Sequence, residues 1–421
     1  MSRLPSDPNP DSTLALLSQG YTYISKRCKH FQSDVFRTRL MFYPAVCMLG
    51  EEAARIFYEP DRFTRKRAMP PTALMLLQGL GSVQVMDGEA HRWRKRMFMS
   101  IMTPERIREL DDLTADQWRI HIEKWQGMDQ VALLPEAQDI LFQAVARWAG
   151  VPLGDEEDAR RWTRAFAAMV DGAGAVGPRN WRGMMMRARA ERWITSIIED
   201  VRAGRIEVPE GSALEVIASH RDQNGEPLDP RVAAVELINI LRPTVAIAWY
   251  VTFAALALHD YPECRRTLAA GNDGDLERFV QEVRRFYPFF PAVGGRVQRA
   301  FDWRGHHFAE GEWVLLDLYG TNHDPRIWEE PRTFRPDRFR HWNGSPFSLI
   351  PQGAGEFDHG HRCAGEWITI ALMKTAVRML TTGMSYEVPE QDLGISLSRM
   401  PAQPKSRFLI RNVRRAATSH T

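Results

Sequence analysis

Cysteine is scarce in this chain. Only Cys28, Cys47, Cys264 and Cys363 occur among 421 residues, without paired spacing. That pattern excludes a disulfide framework and points to a reducing, cytoplasmic setting. Charge of one sign is lacking as well. The chain has 55 basic and 53 acidic residues and a net charge of +2, so no general attraction to nucleic acid follows. No Pro/Gly/Ser-rich linker, internal repeat or low-complexity tract divides the sequence. Length alone allows two or three domains, but without a divider residues 1–421 read as one. The longest apolar run, residues 244–258, is shorter than the ~20 residues that span a bilayer. The opening Met-Ser-Arg-Leu-Pro-Ser-Asp-Pro is polar and Pro-rich, unlike a signal peptide or membrane anchor.

Helical periodicity dominates what is present. The spacing predicts helices over residues 89–102, 134–149, 155–172, 187–202, 231–259 and 365–382. Another starts at Thr103-Pro104 and runs to about residue 125, with Thr as cap and Pro in the first position. The Gly-rich stretch 172–178 reads as a flexible break and candidate pocket lid, with Met184, Met185 and Met186 as lid packing. Alternation near 294–297 and 313–319 predicts a small sheet. Residues 1–70 mix short helices and strands, and 71–421 are mostly helical. The fold class is mainly α with small β sheets.

Cys363 lies in Pro351-Gln-Gly-Ala-Gly-Glu-Phe-Asp-His-Gly-His-Arg-Cys363-Ala-Gly. A lone Cys is commonly a small buried hydrophobe. A thiolate in a Gly-rich loop is also a good axial ligand for haem iron, since glycines let backbone approach a flat group. Alternating His359, His361 and Cys363 could instead form part of a zinc site. Two further segments bear on the choice. Glu282 and Arg285 are spaced i,i+3 and share a helix face. Arg338, between Phe334 and Phe339, could be carried inward to make a forked network with them.

The Cys363 loop, the Glu282/Arg285 pair and Arg338 together resemble the cytochrome P-450 superfamily. The resemblance covers nearly the whole chain. It implies a single-domain P-450 fold and haem b with Cys363 as axial iron ligand. It also implies a structural lock of Glu282, Arg285 and Arg338.

The helix predicted over 231–259 holds Arg242-Pro243 where ordinary members have an acid followed by Thr. An interior Pro costs ~3 kcal/mol, and a buried unpaired Arg costs several more. Arg242 could reach a protein carboxylate, or it could wait for an anion on a substrate. Arg-Pro is similar to the fatty-acid peroxygenase branch. That resemblance implies hydrogen peroxide as co-substrate, a long-chain fatty acid on Arg242, and no redox partner or membrane anchor. The substrate carboxylate would act as general acid–base. Products would be 2- or 3-hydroxy acids, with minor decarboxylation. Catalytic residues would be Arg242, Pro243 and Gln84. His91, Lys95 and Arg65 would meet the haem propionates. Val170, Ala173, Phe289, Phe290 and Gln78 would line the substrate pocket. Rival readings are a reductase-dependent monooxygenase and a non-catalytic haem or fatty-acid sensor.

Overall fold

A computed structural model describes residues 4–416. Its helices pack into one large hydrophobic core, and two smaller cores lie against a five-stranded sheet. Local sequence explains most helix starts. Thr103 Oγ1 accepts from the Arg106 N–H, and Pro104–Trp125 follows. Asp155 caps Glu156–Gly172 in the same way. Gly88–Ile101 and Leu133–Trp148 lie within a residue of the expected bounds.

Three expectations change. The helix expected from residue 187 begins at Pro178 and runs to Arg202, because Pro suits a first turn as well as a break. Met184, Met185 and Met186 therefore lie within this helix, with Met184 packed against the large core. The strand expected to reach Tyr319 is Trp313–Asp317. It stops because Asp317 Oδ1 accepts from the Gly320 N–H at 2.6 Å and caps the short helix Leu318–Thr321. The last helix, Glu366–Arg378, passes into a π turn over Met379–Gly383.

The central helix is Pro230–Asp260. Asp229 Oδ1 accepts from the N–H groups of Arg231 and Val232, and Pro230 opens the first turn. Arg242 and Pro243 interrupt its apolar run without ending it. By length and composition the helix could cross a membrane, but 94% of its most apolar window is buried inside the protein. Every residue from Ala233 to Leu258 except Pro243 is buried.

In the large sheet, Val35–Leu40 pairs antiparallel with Tyr43–Met48, which runs parallel to Trp313–Asp317. Ala292–Val297 lies antiparallel on the far side of Trp313–Asp317, and Phe63–Thr64 closes the edge. The N-terminal 70 residues thus share one sheet with residues 292–317. Phe289 and Phe290 come just ahead of the half-buried strand Ala292–Val297, with Phe289 against Tyr250 of the central helix.

Candidate active site

The Cys363 loop runs directly into Glu366–Arg378. The Cys363 N–H donates to the Gln352 carbonyl at 3.3 Å. The Gln352 amide nitrogen lies 3.8 Å from Cys363 Sγ and 3.0 Å from Thr369 Oγ1, while its Oε1 accepts from Arg284 at 3.0 Å. Arg284 and Arg362 both donate to the Glu366 carboxylate, at 2.5 and 2.6 Å. Burial works to raise Glu366, but the two arginines hold it below the usual carboxylate range. Burial of the sulfur pushes the Cys363 thiol up, opposed by the Gly365 N–H and Lys95. The loop glycines have a role besides cofactor approach. Gly353 and Gly355 adopt φ +94° and +83°, and a Cβ on Gly353 would meet the Tyr58 hydroxyl at 2.8 Å.

The expected lock forms. Arg285 Nε and Nη2 make a fork on Glu282 at 2.7 and 2.8 Å, and Arg338 Nε reaches Glu282 Oε1 at 3.1 Å. Glu282 and Arg285 have no solvent exposure. Arg285 also donates to the carbonyls of Asn322 and Pro331, fastening the helix Asp273–Phe286 to the following segment.

Arg65, His91 and Lys95 are buried at 4–5% exposure. Arg65 donates to the Gly294 carbonyl at 2.9 Å, and Lys95 to the Arg362 carbonyl at 2.7 Å. Among the described residues, none of the three has a carboxylate in an ion pair. The His91 ring lies against His361, centroids 4.1 Å apart. Burial lowers Arg65 and Lys95, and burial with Lys95 lowers His91 to about 4. Arg65 and Lys95 are buried cations that meet carbonyls and aromatic rings but no carboxylate partner, which fits an anionic group from outside the chain. Two haem propionates have that chemistry, and Cys363 supplies the iron ligand, so the residues present fit haem. The zinc alternative does not hold. The described residues contain no group of three His, Cys, Asp or Glu side chains placed to hold a metal ion.

On the central helix, Arg242 is 4% exposed. Its Nη1 donates to the Leu76 carbonyl and its Nη2 to Asn239 Oδ1, both at 3.1 Å. Nε has no partner. Burial, then the neighbouring Arg187, pulls Arg242 down to about 9. No protein carboxylate answers it among the described residues. Pro243 has no N–H for the Asn239 carbonyl one turn back. Asn239 Nδ2 donates to the Gln78 carbonyl at 2.9 Å and to Gln84 Oε1 at 3.1 Å. Glu236 has no exposure; it accepts from Arg94 Nη1 at 2.7 Å and the Val83 N–H at 2.8 Å. Burial raises Glu236, and Arg94 works against that. Arg187 lies behind this group. Its Nη2 sits 2.5 Å from where a Cβ on Gly79 would be, and Gly79 has φ +85°.

The structure therefore gathers Arg242, Pro243, Gln84 and Gln78 around one helix segment. Phe289 joins them by stacking on Tyr250 of the same helix, centroids 4.2 Å apart. Phe290 meets the edge of Phe289 and is 37% exposed. Val170 is buried and Ala173 partly buried in the core beside the central helix, with no polar tie to Arg242. Sequence reasoning missed Glu236, Asn239, Arg94 and Arg187. One signal was available: Glu236, Asn239 and Arg242 fall at i, i+3 and i+6 of an apolar helix, a polar stripe that needs partners.

A family model described as Cytochrome P450 matches residues 276–408. A variant of cytochrome P450SP alpha (CYP152B1) is 46% identical, covering 97% of this chain and 100% of its own, with a TM-score of 0.94. Cytochrome P450EX alpha (CYP152N1), solved with myristic acid, is 42% identical over 99% of this chain and 100% of its own, TM-score 0.95. A variant of cytochrome P450 OleT, solved with arachidonic acid, is 36% identical with the same coverage and a TM-score of 0.95. The putative cytochrome P450 120 of Synechocystis sp. is more distant, 23% identical over 95% of this chain and 93% of its own. Matched along nearly its whole length by these structures, the chain belongs to the cytochrome P450 family, in its fatty-acid peroxygenase branch, and is a haem-thiolate oxidoreductase.

Proposed function

We propose that this enzyme uses hydrogen peroxide to hydroxylate long-chain fatty acids at carbon 2, with carbon 3 as a side path, and needs no redox partner. One observation carries the reading: Arg242 is buried in an apolar helix and bonded only to a carbonyl and an amide oxygen. A guanidinium so desolvated gains most from an incoming carboxylate, which it can bind with two parallel N–H bonds. Relatives solved with myristic and arachidonic acids support that class of ligand.

Haem held by Cys363 would supply oxidation of a C–H bond. The chain's own residues would do the rest. Arg242 holds carbon 1 and so brings only carbons 2 and 3 to the reacting position. The held carboxylate takes a proton from hydrogen peroxide and returns it to the departing oxygen, which leaves as water. The products are a hydroxy acid and water. No side chain of the central helix competes for that task. Thr244, next to Pro243, spends its hydroxyl on the Ile240 carbonyl at 2.9 Å, and Glu236 is held by Arg94. Gln84 cannot titrate as His would, which favours hydroxylation and leaves decarboxylation minor. Four unpaired cysteines suit a reducing, cytoplasmic setting.

The test is purified haem-loaded protein with a saturated long-chain acid and hydrogen peroxide, without reductase, followed by chromatography of products. The 2-hydroxy acid should dominate, and the methyl ester should not react. Turnover only with a reductase would establish a monooxygenase instead. Binding without turnover under either condition would establish a sensor. Terminal or subterminal products would overturn the anchoring role of Arg242.

A further inference from the structure

We propose that Asn239 is a positioning residue that fixes both the pose of Arg242 and the hydrogen-bonding polarity of Gln84. The proposal rests on the reading of Arg242 as the fatty-acid anchor. Asn239 is 7% exposed on the central helix, three residues before Arg242. Its neighbours distinguish the two ends of its amide chemically. Arg242 Nη2 can only donate, so the atom 3.1 Å away must be Oδ1. The Gln78 carbonyl can only accept, so the atom 2.9 Å from it must be Nδ2. A Glu236 carboxylate oxygen lies on that same end at 3.4 Å. Obligate partners on both sides fix the orientation of the amide.

The polarity of Gln84 then follows. Its Oε1 accepts from Asn239 Nδ2 at 3.1 Å, so its own NH2 group is the end left to donate. Glu236 is itself pinned by Arg94 and the Val83 N–H. The order from the Gly88–Ile101 helix inward is therefore Arg94, Glu236, Asn239, and then Gln84 and Arg242 together. One amide sets the group that anchors carbon 1 and a second group beside the reacting carbons.

Neutrality is part of the role. An amide oxygen holds Arg242 without cancelling its charge. A carboxylate at position 239 would pair with the guanidinium and compete with the substrate's own. An aliphatic side chain would release Arg242 and Gln84 together.

The experiment uses haem-loaded protein with myristic acid as probe. Equilibrium binding is measured by calorimetry, and 2- to 3-hydroxy product ratios by chromatography. Asn239→Asp should weaken myristic acid binding by at least about tenfold. Asn239→Ala should bind within about threefold of the parent, yet shift the product ratio and lower kcat more than KM, because misplacement acts on orientation. A double-mutant cycle of Asn239→Ala with Gln84→Leu should be non-additive in product ratio. Asn239→Ser, which keeps a small donor and acceptor, should partly restore the parent ratio. The binding arm needs no turnover, so it reads Asn239 even where peroxide chemistry fails. Parent-like binding by Asn239→Asp, or an additive cycle, would overturn the proposal. Loss of haem from both Asn239→Ala and Asn239→Ser would also overturn it, in favour of a purely structural residue.

Discussion

The buried arginines around the site fall into two sets, and they differ in what they face. Behind the Cys363 loop, Arg285 and Arg338 converge on Glu282, and Arg284 and Arg362 on Glu366. On the central helix, Arg242 faces one carbonyl and one amide oxygen, and beside the Cys363 loop Arg65 faces one carbonyl and the rings of Phe57 and Tyr58. Both sets are desolvated, but only the first is compensated by the chain itself. The contrast separates structural charge from functional charge. A buried cation with its own carboxylate holds the fold together, whereas one without is completed by a ligand.

The largest expected effect is at the residue that joins the two sides. Cys363→Ala should lose the thiolate absorption spectrum and most of the haem, measured as the carbon monoxide complex and haem content. A normal complex with unchanged absorption would break the assignment. Next comes the compensated side. Glu282→Gln leaves two buried guanidiniums with a neutral partner and should cost about 3–5 kcal/mol of stability, read by denaturant unfolding.

Asp317 is the mirror case, a buried carboxyl with no cation and one oxygen lacking a partner. Burial raises it to about 7 from the ordinary 3.8. The folded state therefore keeps a proton that the unfolded chain releases. Stability from this group is full below about pH 4 and declines as pH rises to about 7, by at most roughly 4 kcal/mol. Asp317→Asn should remove that decline, seen by comparing unfolding midpoints between pH 4.5 and 7.5. An unchanged slope would mean the proton is not held there.

The uncompensated side should behave oppositely to the lock. Arg242→Leu should weaken fatty-acid binding by about 3 kcal/mol and abolish oxidation, while haem stays bound. Its stability should be equal to the parent or higher, because a buried unpaired charge has gone. A stability loss as large as that of Glu282→Gln would erase the distinction. The smallest effect belongs to solvated pairs. Arg119 and Asp116 are each more than half exposed, and Arg119→Ala should change stability by less than about 1 kcal/mol.

The same contrast marks what the sequence could reveal. Helix starts were legible because caps are local: Thr103 and Pro104 act within one turn. Glu282 and Arg285 were legible because i,i+3 spacing is also local. Arg242-Pro243 stood out because two adjacent residues oppose an apolar helix for different reasons. Asn239 and Arg94 were not legible as site residues. Their partners are distant in the chain, and each residue alone is ordinary. The Arg94–Glu236 pair joins two helices that only the fold brings together. The end of the sheet strand at Asp317 was hidden for a related reason, since Leu318 and Tyr319 extend the strand-like pattern past Asp317 while the cap turns the backbone.

Gly79 carries a consequence for anyone diversifying this enzyme. It touches no reacting group, so a library aimed at the substrate channel would treat it as a free position in the segment before the Gly88–Ile101 helix. Yet its missing side chain is the berth for the Arg187 guanidinium, and its backbone sits where other residues are strained. A Cβ there would also press on Val235 Cγ1 at 2.7 Å, on the helix face shared by Asn239 and Arg242. Variants at this position should therefore register as altered substrate selection in a screen, and be mistaken for direct contacts with the acyl chain.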